Sequence, residues 1–287
     1  MTINENPTVA PDFQLGGDLP VDRLGFGAMR LALGGRIRQP EEGVALLRRA
    51  VDLGVNHLDT AGFYGFGDLQ AHEMIRQALA PYPADLVIAT KVGPLLEGGV
   101  VPTGQATAAQ LRGLVEEDLR RLGRDRLDLV YLRVGGMGQP GGESIGDRFA
   151  ALAQLRDEGL IRHLGVSHVD AAQLAEARSI APVAAVQNHF HVHHRGDAEV
   201  LARCERDGIA YVPFFPLGGG RDPLDQAPLA NVGARHGATT AQVALAWLLA
   251  VSPVTVAIPG TSSPDHLAEN VAAAGLRLTA EDLAELA

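Results

Sequence analysis

Eight times along this chain a short, continuous apolar run is followed by a stretch of amphipathic helical period, and that alternation limits the fold more than anything else in the sequence. The runs cover residues 23–28, 55–60, 86–92, 127–134, 161–167, 183–190, 209–215 and 254–259. The helical stretches that follow them cover residues 40–53, 69–80, 108–122, 145–157, 170–179, 197–206, 229–250 and 264–273. Runs that are apolar at successive positions, not only at alternate ones, suit strands covered on both faces, as in a parallel sheet under helices. Eight such units in 287 residues close naturally into an α/β fold of the (β/α)8, TIM-barrel type. Ahead of the first unit, residues 13–22 place Gly16-Gly17 between two short apolar pieces, which predicts a β-hairpin plugging the bottom of the barrel. After the eighth, Thr279-Ala280-Glu281-Asp282 has the pattern of a capping box and opens a C-terminal helix. No linker divides the sequence, so a single barrel domain over residues 1–287 is expected.

Charge and cysteine content narrow the classes of partner. The net charge is −10, from 24 basic and 34 acidic residues, which argues against nucleic acid or an anionic membrane as partner. It does not argue against a small anionic cofactor, for which local charge decides. Cys204 is the one cysteine, so no intrachain disulfide forms, and a reducing cytoplasm fits. Cys204 falls in a helical stretch, where a buried, inert thiol is expected. The first residues lack the basic segment and apolar core of a signal peptide, and no apolar run reaches membrane-spanning length. A cytoplasmic protein is expected, with its oligomeric state left open.

A parallel barrel gathers its chemistry at the C-terminal ends of its strands. Four segments stand there: Asp59-Thr60-Ala61-Gly62-Phe63-Tyr64, Thr90-Lys91, Leu132-Arg133 and Gly165-Val166-Ser167. Tyr64, Lys91 and Asp59 offer a phenol, an ammonium and a carboxylate to one rim. A phenol alone is a reluctant acid near neutrality; an adjacent ammonium favours the phenolate, and a carboxylate keeps that ammonium in place and charged. Two Gly- and Pro-rich segments, residues 93–107 and 135–146, are long enough to be functional loops on that rim, the second directly following Arg133. The run His189-Phe190-His191-Val192-His193-His194 lacks a carboxylate or cysteine at a metal-binding spacing, so an accessible polar rim is expected and no metal. Gly25-Phe26-Gly27-Ala28-Met29-Arg30 has only two of the three glycines of a GxGxxG fingerprint, so a Rossmann domain is not indicated.

Taken in order, Gly25-Phe26-Gly27-Ala28-Met29, Asp59-Thr60-Ala61 with Tyr64, Thr90-Lys91, Gly165-Val166-Ser167, Val186-Gln187-Asn188, Pro216-Leu217-Gly218-Gly219-Gly220, and Ile258-Pro259-Gly260-Thr261-Ser262 with Glu269-Asn270 resemble the aldo-keto reductase family across nearly the whole chain. Arg133 with its flanking residues, the Gly-rich loop ending in Glu143-Ser144-Ile145, and the segment from Ala210 to Gly219 resemble the bacterial pyridoxal reductases, a branch that reduces pyridoxal to pyridoxine with NADPH.

The resemblance implies hydride transfer from a nicotinamide to a carbonyl, with Tyr64 as general acid and Asp59, Lys91 and Arg133 as the other catalytic groups. It implies a cofactor lying extended across the barrel rim. Gly27, Ala28, Met29 and Asp59 would line its path, and Ser167, His168 and Gln187 would hold the carboxamide. Phe214 would stack on the ring, Phe215, Leu217 and Gly219 would strap the diphosphate, and Gly260, Thr261, Ser263, His266, Glu269 and Asn270 would take the adenosine end. Two departures stand out. Arg133 replaces the usual His, which predicts contact with an anionic or oxygen-rich neighbour of the substrate carbonyl, such as the phenolate of pyridoxal; the alternative is that it pairs with Asp59 or Glu143. Gly260 and His266 stand where many NADPH-specific relatives carry Lys and Arg, so NADPH is expected with NADH as the alternative. Rival readings are reduction of another carbonyl (a sugar, a quinone or a secondary-metabolite aldehyde), a non-catalytic nicotinamide-binding subunit, and a phosphate-binding barrel that uses Lys91 for a Schiff base.

Overall fold

A computed structural model describes residues 13–96, 102–136, 138–220, 224 and 227–287. Seven parallel strands lie side by side in chain order: Phe26–Gly27, His57–Asp59, Val87–Val92, Leu127–Arg133, Ile161–Ser167, Ala185–Gln187 and Ala210–Tyr211. Residues 254–259 close the ring as the eighth strand. They form no continuous ladder but make parallel bridges, Leu24 to Ala257 on one side and Tyr211 to Thr255 on the other. The amides of Gly25 and Tyr211 donate to the carbonyls of Ala257 and Val254, each at 2.8 Å. The expected barrel is therefore present, with a thinner seam than the sequence implies: the first strand is regular only at Phe26–Gly27, where residues 23–28 are expected.

That seam depends on two glycines. A Cβ on Gly27 would lie 2.7 Å from the carbonyl oxygen of Ile258, and a Cβ on Gly260 would lie 2.6 Å from that of Gly27. Neither distance is tolerated by a real side chain, so the first and eighth strands approach this closely only because both residues lack one.

Inside the barrel the side chains follow a period of two. Val87 and Ala89, Leu129 and Tyr131, Ala185, Ala210 with Val212, and Val256 with Ile258 form one buried cluster. Leu15, Leu19 and Val21 belong to the same cluster; they come from the antiparallel hairpin Phe13–Leu15 and Leu19–Val21, which plugs the barrel as the sequence predicts. The alternate residues, Ile88, Val130 and Leu132 among them, face outward into the shell of helices. The last helix, Ala280–Glu285, carries the expected capping box at Thr279 and is held by Asp282, which accepts from Arg235 at 2.7 Å.

Local chemistry moves several expected boundaries. The helix expected over residues 69–80 runs Ala71–Leu79, because Leu69–Gln70 pairs with Gly65–Phe66 in a small hairpin and Gln70 caps the helix through the amide of His72 at 2.8 Å. The sixth and seventh strands are only Ala185–Gln187 and Ala210–Tyr211 long. Residues 229–250 divide into Ala227–His236 and Thr240–Val251, the second N-capped by Thr239. The Gly-rich segment 93–107 is not all loop, since Pro94–Leu95 pairs with Gly104–Gln105. Cys204 is buried on the helix Ala198–Asp207 and burial pushes its thiol up to about 12, as suits an inert thiol. Among the described residues no helix is long and apolar enough to cross a membrane.

Two outcomes test this description. Gly260→Ala should lower thermal stability by about 1–3 kcal/mol through crowding at the seam, read from a melting curve. The second concerns Asp118, which is buried, accepts from Thr90 Oγ1 at 2.8 Å and lies beside neutral, buried His72. Burial raises its carboxyl from 3.8 to about 7. The folded state then binds the proton more tightly than the unfolded state, so stability is greatest below pH ~4 for this group and falls as pH rises toward 7. Asp118→Asn should remove that loss, gaining on the wild type by more than about 1 kcal/mol between pH 4 and 8 in urea denaturation. A constant offset across that range would refute it.

Candidate active site

The interior period of two carries a polar group onto the rim at the end of nearly every strand. Asp59 ends one strand and Lys91 lies two residues beyond the inward Ala89. Arg133 and Ser167 follow the same rule, two residues beyond Tyr131 and Gly165, as does Gln187 beyond Ala185. Register sets their order: Arg133 lies beside Ser167, and Ser167 beside Gln187.

At the centre is a buried ion pair. Lys91 Nζ donates to Asp59 Oδ1 at 2.6 Å and to the carbonyl of Thr60 at 2.9 Å. The other carboxylate oxygen, Asp59 Oδ2, accepts from Gln187 Nε2 at 2.6 Å. Burial alone would push the Lys91 ammonium down, but Asp59 and then Tyr64 outweigh it and hold it above its ordinary value. The ammonium lies 4.9 Å from the centre of the Tyr64 ring. Tyr64 sits just past the strand in a tight turn: its amide donates to the carbonyl of Ala61, its carbonyl accepts from Ala71, and Gln70 reaches back to the carbonyl of Gly62 at 3.0 Å. The three residues expected to act together are thus in one place. Lys91 is also the only lysine of the chain, the other 23 of its 24 basic residues being arginines.

Arg133 is buried behind this group. Its guanidinium donates to Ser167 Oγ at 3.4 Å and to the carbonyl of Gly136 at 3.1 Å, and lies 4.9 Å from the centre of the Phe214 ring. Burial pushes it down to about 10, with Tyr64 pulling the other way, so it is charged at neutral pH. Both oxygens of Asp59 are engaged by Lys91 and Gln187, and Glu143 binds Arg148 at 2.9 Å. His168 has a left-handed backbone, φ 62, a conformation that suits Asn and His more than most residues. Desolvation, and then Arg133, push its ring down to about 4, so it is neutral. The histidine run is not the accessible rim expected. His191 is buried, and His189 stacks between His194, 4.0 Å away, and Phe214, 5.2 Å away; only His193 is exposed.

From Tyr64 and Gln187 a groove runs along the seam of the barrel. Gly27, Met29, Phe214, Phe215, Leu217, Gly219 and Gly260 line it, all from the expected set. Arg30 also lines it and is absent from that set. Its guanidinium bridges the carbonyls of Gly34 and Gly219, each at 2.7 Å, tying the segment after the first strand to the Gly-rich strap. Its place directly after Gly27-Ala28-Met29 puts it near the groove, but its bond to Gly219 leaves no local mark in the sequence. Beyond Gly260 come Thr261, which accepts from the amide of Ser263 at 3.0 Å, and Ser263, which caps the helix Pro264–Ala272. His266 is exposed, Asn270 is buried, and Glu269 binds the hydroxyl of Thr239. The groove offers an amide and a hydroxyl at one end, a guanidinium and glycine backbone in the middle, and hydroxyls at the other. That donor set fits a nicotinamide dinucleotide.

The profile of the aldo/keto reductase family matches residues 23–287. The chain is 45% identical over 275 residues to pyridoxine 4-dehydrogenase of Escherichia coli strain K12, covering 94% of this chain and 95% of that one. It is 39% identical to an uncharacterized oxidoreductase of Schizosaccharomyces pombe, covering 94% of this chain and 87% of the other. An aldo-keto reductase from Klebsiella pneumoniae, solved in complex with NADPH, superposes with a TM-score of 0.81 at 29% identity, over 97% of this chain and 94% of that one. The chain belongs to the aldo/keto reductase family.

One measurement isolates the central ion pair. Labelling with [15N]lysine gives a single side-chain amine signal, because Lys91 has no companion. Asp59→Asn should lower the pH at which that signal titrates by at least about one unit. An unchanged titration would show that Asp59 does not hold the charge on Lys91.

Proposed function

We propose that the protein reduces the carbonyl of a small aldehyde to an alcohol with NADPH, pyridoxal to pyridoxine being the favoured reaction. The observation that carries this reading is the contact of Lys91 with both Asp59 and Tyr64 at the mouth of the groove. Bound in the groove, a reduced nicotinamide supplies the hydride. Tyr64 Oη gives its proton to the carbonyl oxygen, Lys91 stabilises the negative charge left on the phenol, and Asp59 keeps Lys91 charged and in place. Ser167 and Gln187 orient the carboxamide; Gln187 is itself held by Asp59, so one carboxylate aligns proton donor and cofactor site together. Phe214 offers a ring face braced by His189.

Arg133 favours an aldehyde with an oxygen-rich neighbour. Its guanidinium has several donors in a planar fork and a permanent charge, which suit the aldehyde and phenolate oxygens of pyridoxal together. The relative named pyridoxine 4-dehydrogenase supports the same pair of alcohol and aldehyde. We take residues 1–287 as one barrel domain acting in a reducing cytoplasm, in keeping with the lone buried Cys204. The Schiff-base alternative is disfavoured, because an amine nucleophile must be neutral and Lys91 is held charged.

Absorbance at 340 nm across about twenty aldehydes, pyridoxal and its phosphate included, tests the reading. Pyridoxal should give the highest kcat/KM, with NADPH preferred to NADH. Tyr64→Phe should lose roughly 10²–10⁴ in turnover. Arg133→His should cut turnover on pyridoxal more than on benzaldehyde; equal losses would remove Arg133 from substrate selection. Turnover without nicotinamide would sink the whole reading.

A further inference from the structure

The far end of the groove is short of positive charge. Residues 255–272 contain no lysine or arginine. Position 260 is glycine, and in this chain a Cβ there would lie 2.6 Å from the carbonyl oxygen of Gly27, so no cation comes from that position. Asp265 in the first turn of the helix Pro264–Ala272 opposes an anion further.

The structure supplies a cation from elsewhere in the sequence. The loop after the short helix Met29–Ala32 lies against the same end of the groove, where the amide of Arg36 donates to Ser262 Oγ at 3.0 Å. This loop is built, not loose. Arg30 holds the carbonyl of Gly34 at 2.7 Å, Arg38 holds those of Gly35 and Ile37 at 3.2 and 3.0 Å, and the Ile37 side chain is buried. A Cβ on Gly35 would sit 1.9 Å from the carbonyl oxygen of Arg30 and 3.3 Å from Ser262 Cβ, so the close docking requires glycine. Arg30 and Arg38 spend their guanidinium groups on backbone carbonyls. The Arg36 side chain is exposed, and among the described residues it makes no hydrogen bond or ion pair.

We propose that Arg36, with the hydroxyl of Ser262 beside it, holds the 2′-phosphate of NADPH and selects NADPH over NADH. This rests on the reading that the groove takes a nicotinamide dinucleotide with its adenosine end at residues 260–263. A guanidinium matches a phosphate with paired N–H donors, and the phosphate is the one group that NADH lacks. The sequence hid this site because the residues that take the phosphate lie more than two hundred positions apart.

Calorimetric titration of NADP+ and NAD+ into the wild type, Arg36→Ala and Arg36→Lys tests it, with circular dichroism melts confirming the fold. The wild type should bind NADP+ at least about tenfold more tightly than NAD+. Arg36→Ala should weaken NADP+ by about 10- to 100-fold and leave NAD+ within about twofold, with Arg36→Lys between. The salt dependence of NADP+ binding should flatten in Arg36→Ala alone. If the wild type binds both nucleotides and Arg36→Ala changes neither, or both alike, the proposal is overturned while the groove reading stands. If the wild type binds neither, the groove reading falls and the proposal with it.

Discussion

Everything at the rim is organised by one carboxylate. Asp59 gives one oxygen to Lys91 and the other to Gln187, and so joins the second, third and sixth strands across the mouth of the barrel. A buried charge is costly unless it is paired and fully hydrogen-bonded, and both requirements are met here. Lys91 adds a second bond to Thr60, and Asp59 has no oxygen left over. Removing either partner leaves the other charged in a dry site. The pair fixes the ammonium beside Tyr64, the amide of Gln187 beside Ser167, and through them the mouth of the groove.

A second constraint acts at the seam. Gly27 and Gly260 let the first and eighth strands approach, and the same approach shapes the floor of the groove. In this chain the residue that closes the barrel is a glycine and extends no cationic side chain into the groove. The strap is tied by Arg30 from the first βα turn, so both long-range stitches over the groove start in that turn.

The period of the apolar runs made the barrel legible, since a parallel strand buried on both faces leaves a mark that no surface strand imitates. Asp59, Lys91 and Tyr64 were legible because each follows such a run within a few residues. Strand length was less so: residues 183–190 and 209–215 are mostly buried, yet only Ala185–Gln187 and Ala210–Tyr211 pair regularly, because burial and ladder formation are separate demands. The histidine run misled through composition. Its alternation suggested an outward polar face, whereas ring stacking on Phe214 and close packing turn it inward. Arg30 and Arg36 were illegible for a different reason. Each bonds a partner about two hundred residues away, and no local pattern records such a meeting.

The lone lysine has a consequence for chemistry in solution. Aldehydes condense with neutral primary amines, and most proteins expose many lysines on which to do so. Here the single lysine is 3% exposed and held as an ammonium by Asp59. Arginine, which carries the rest of the positive charge, does not form simple imines. An aldehyde diffusing around this protein, whose net charge is −10, therefore meets arginines but no exposed lysine amine to trap it. The lysine sites at which reactive carbonyls decorate other proteins are missing from its surface.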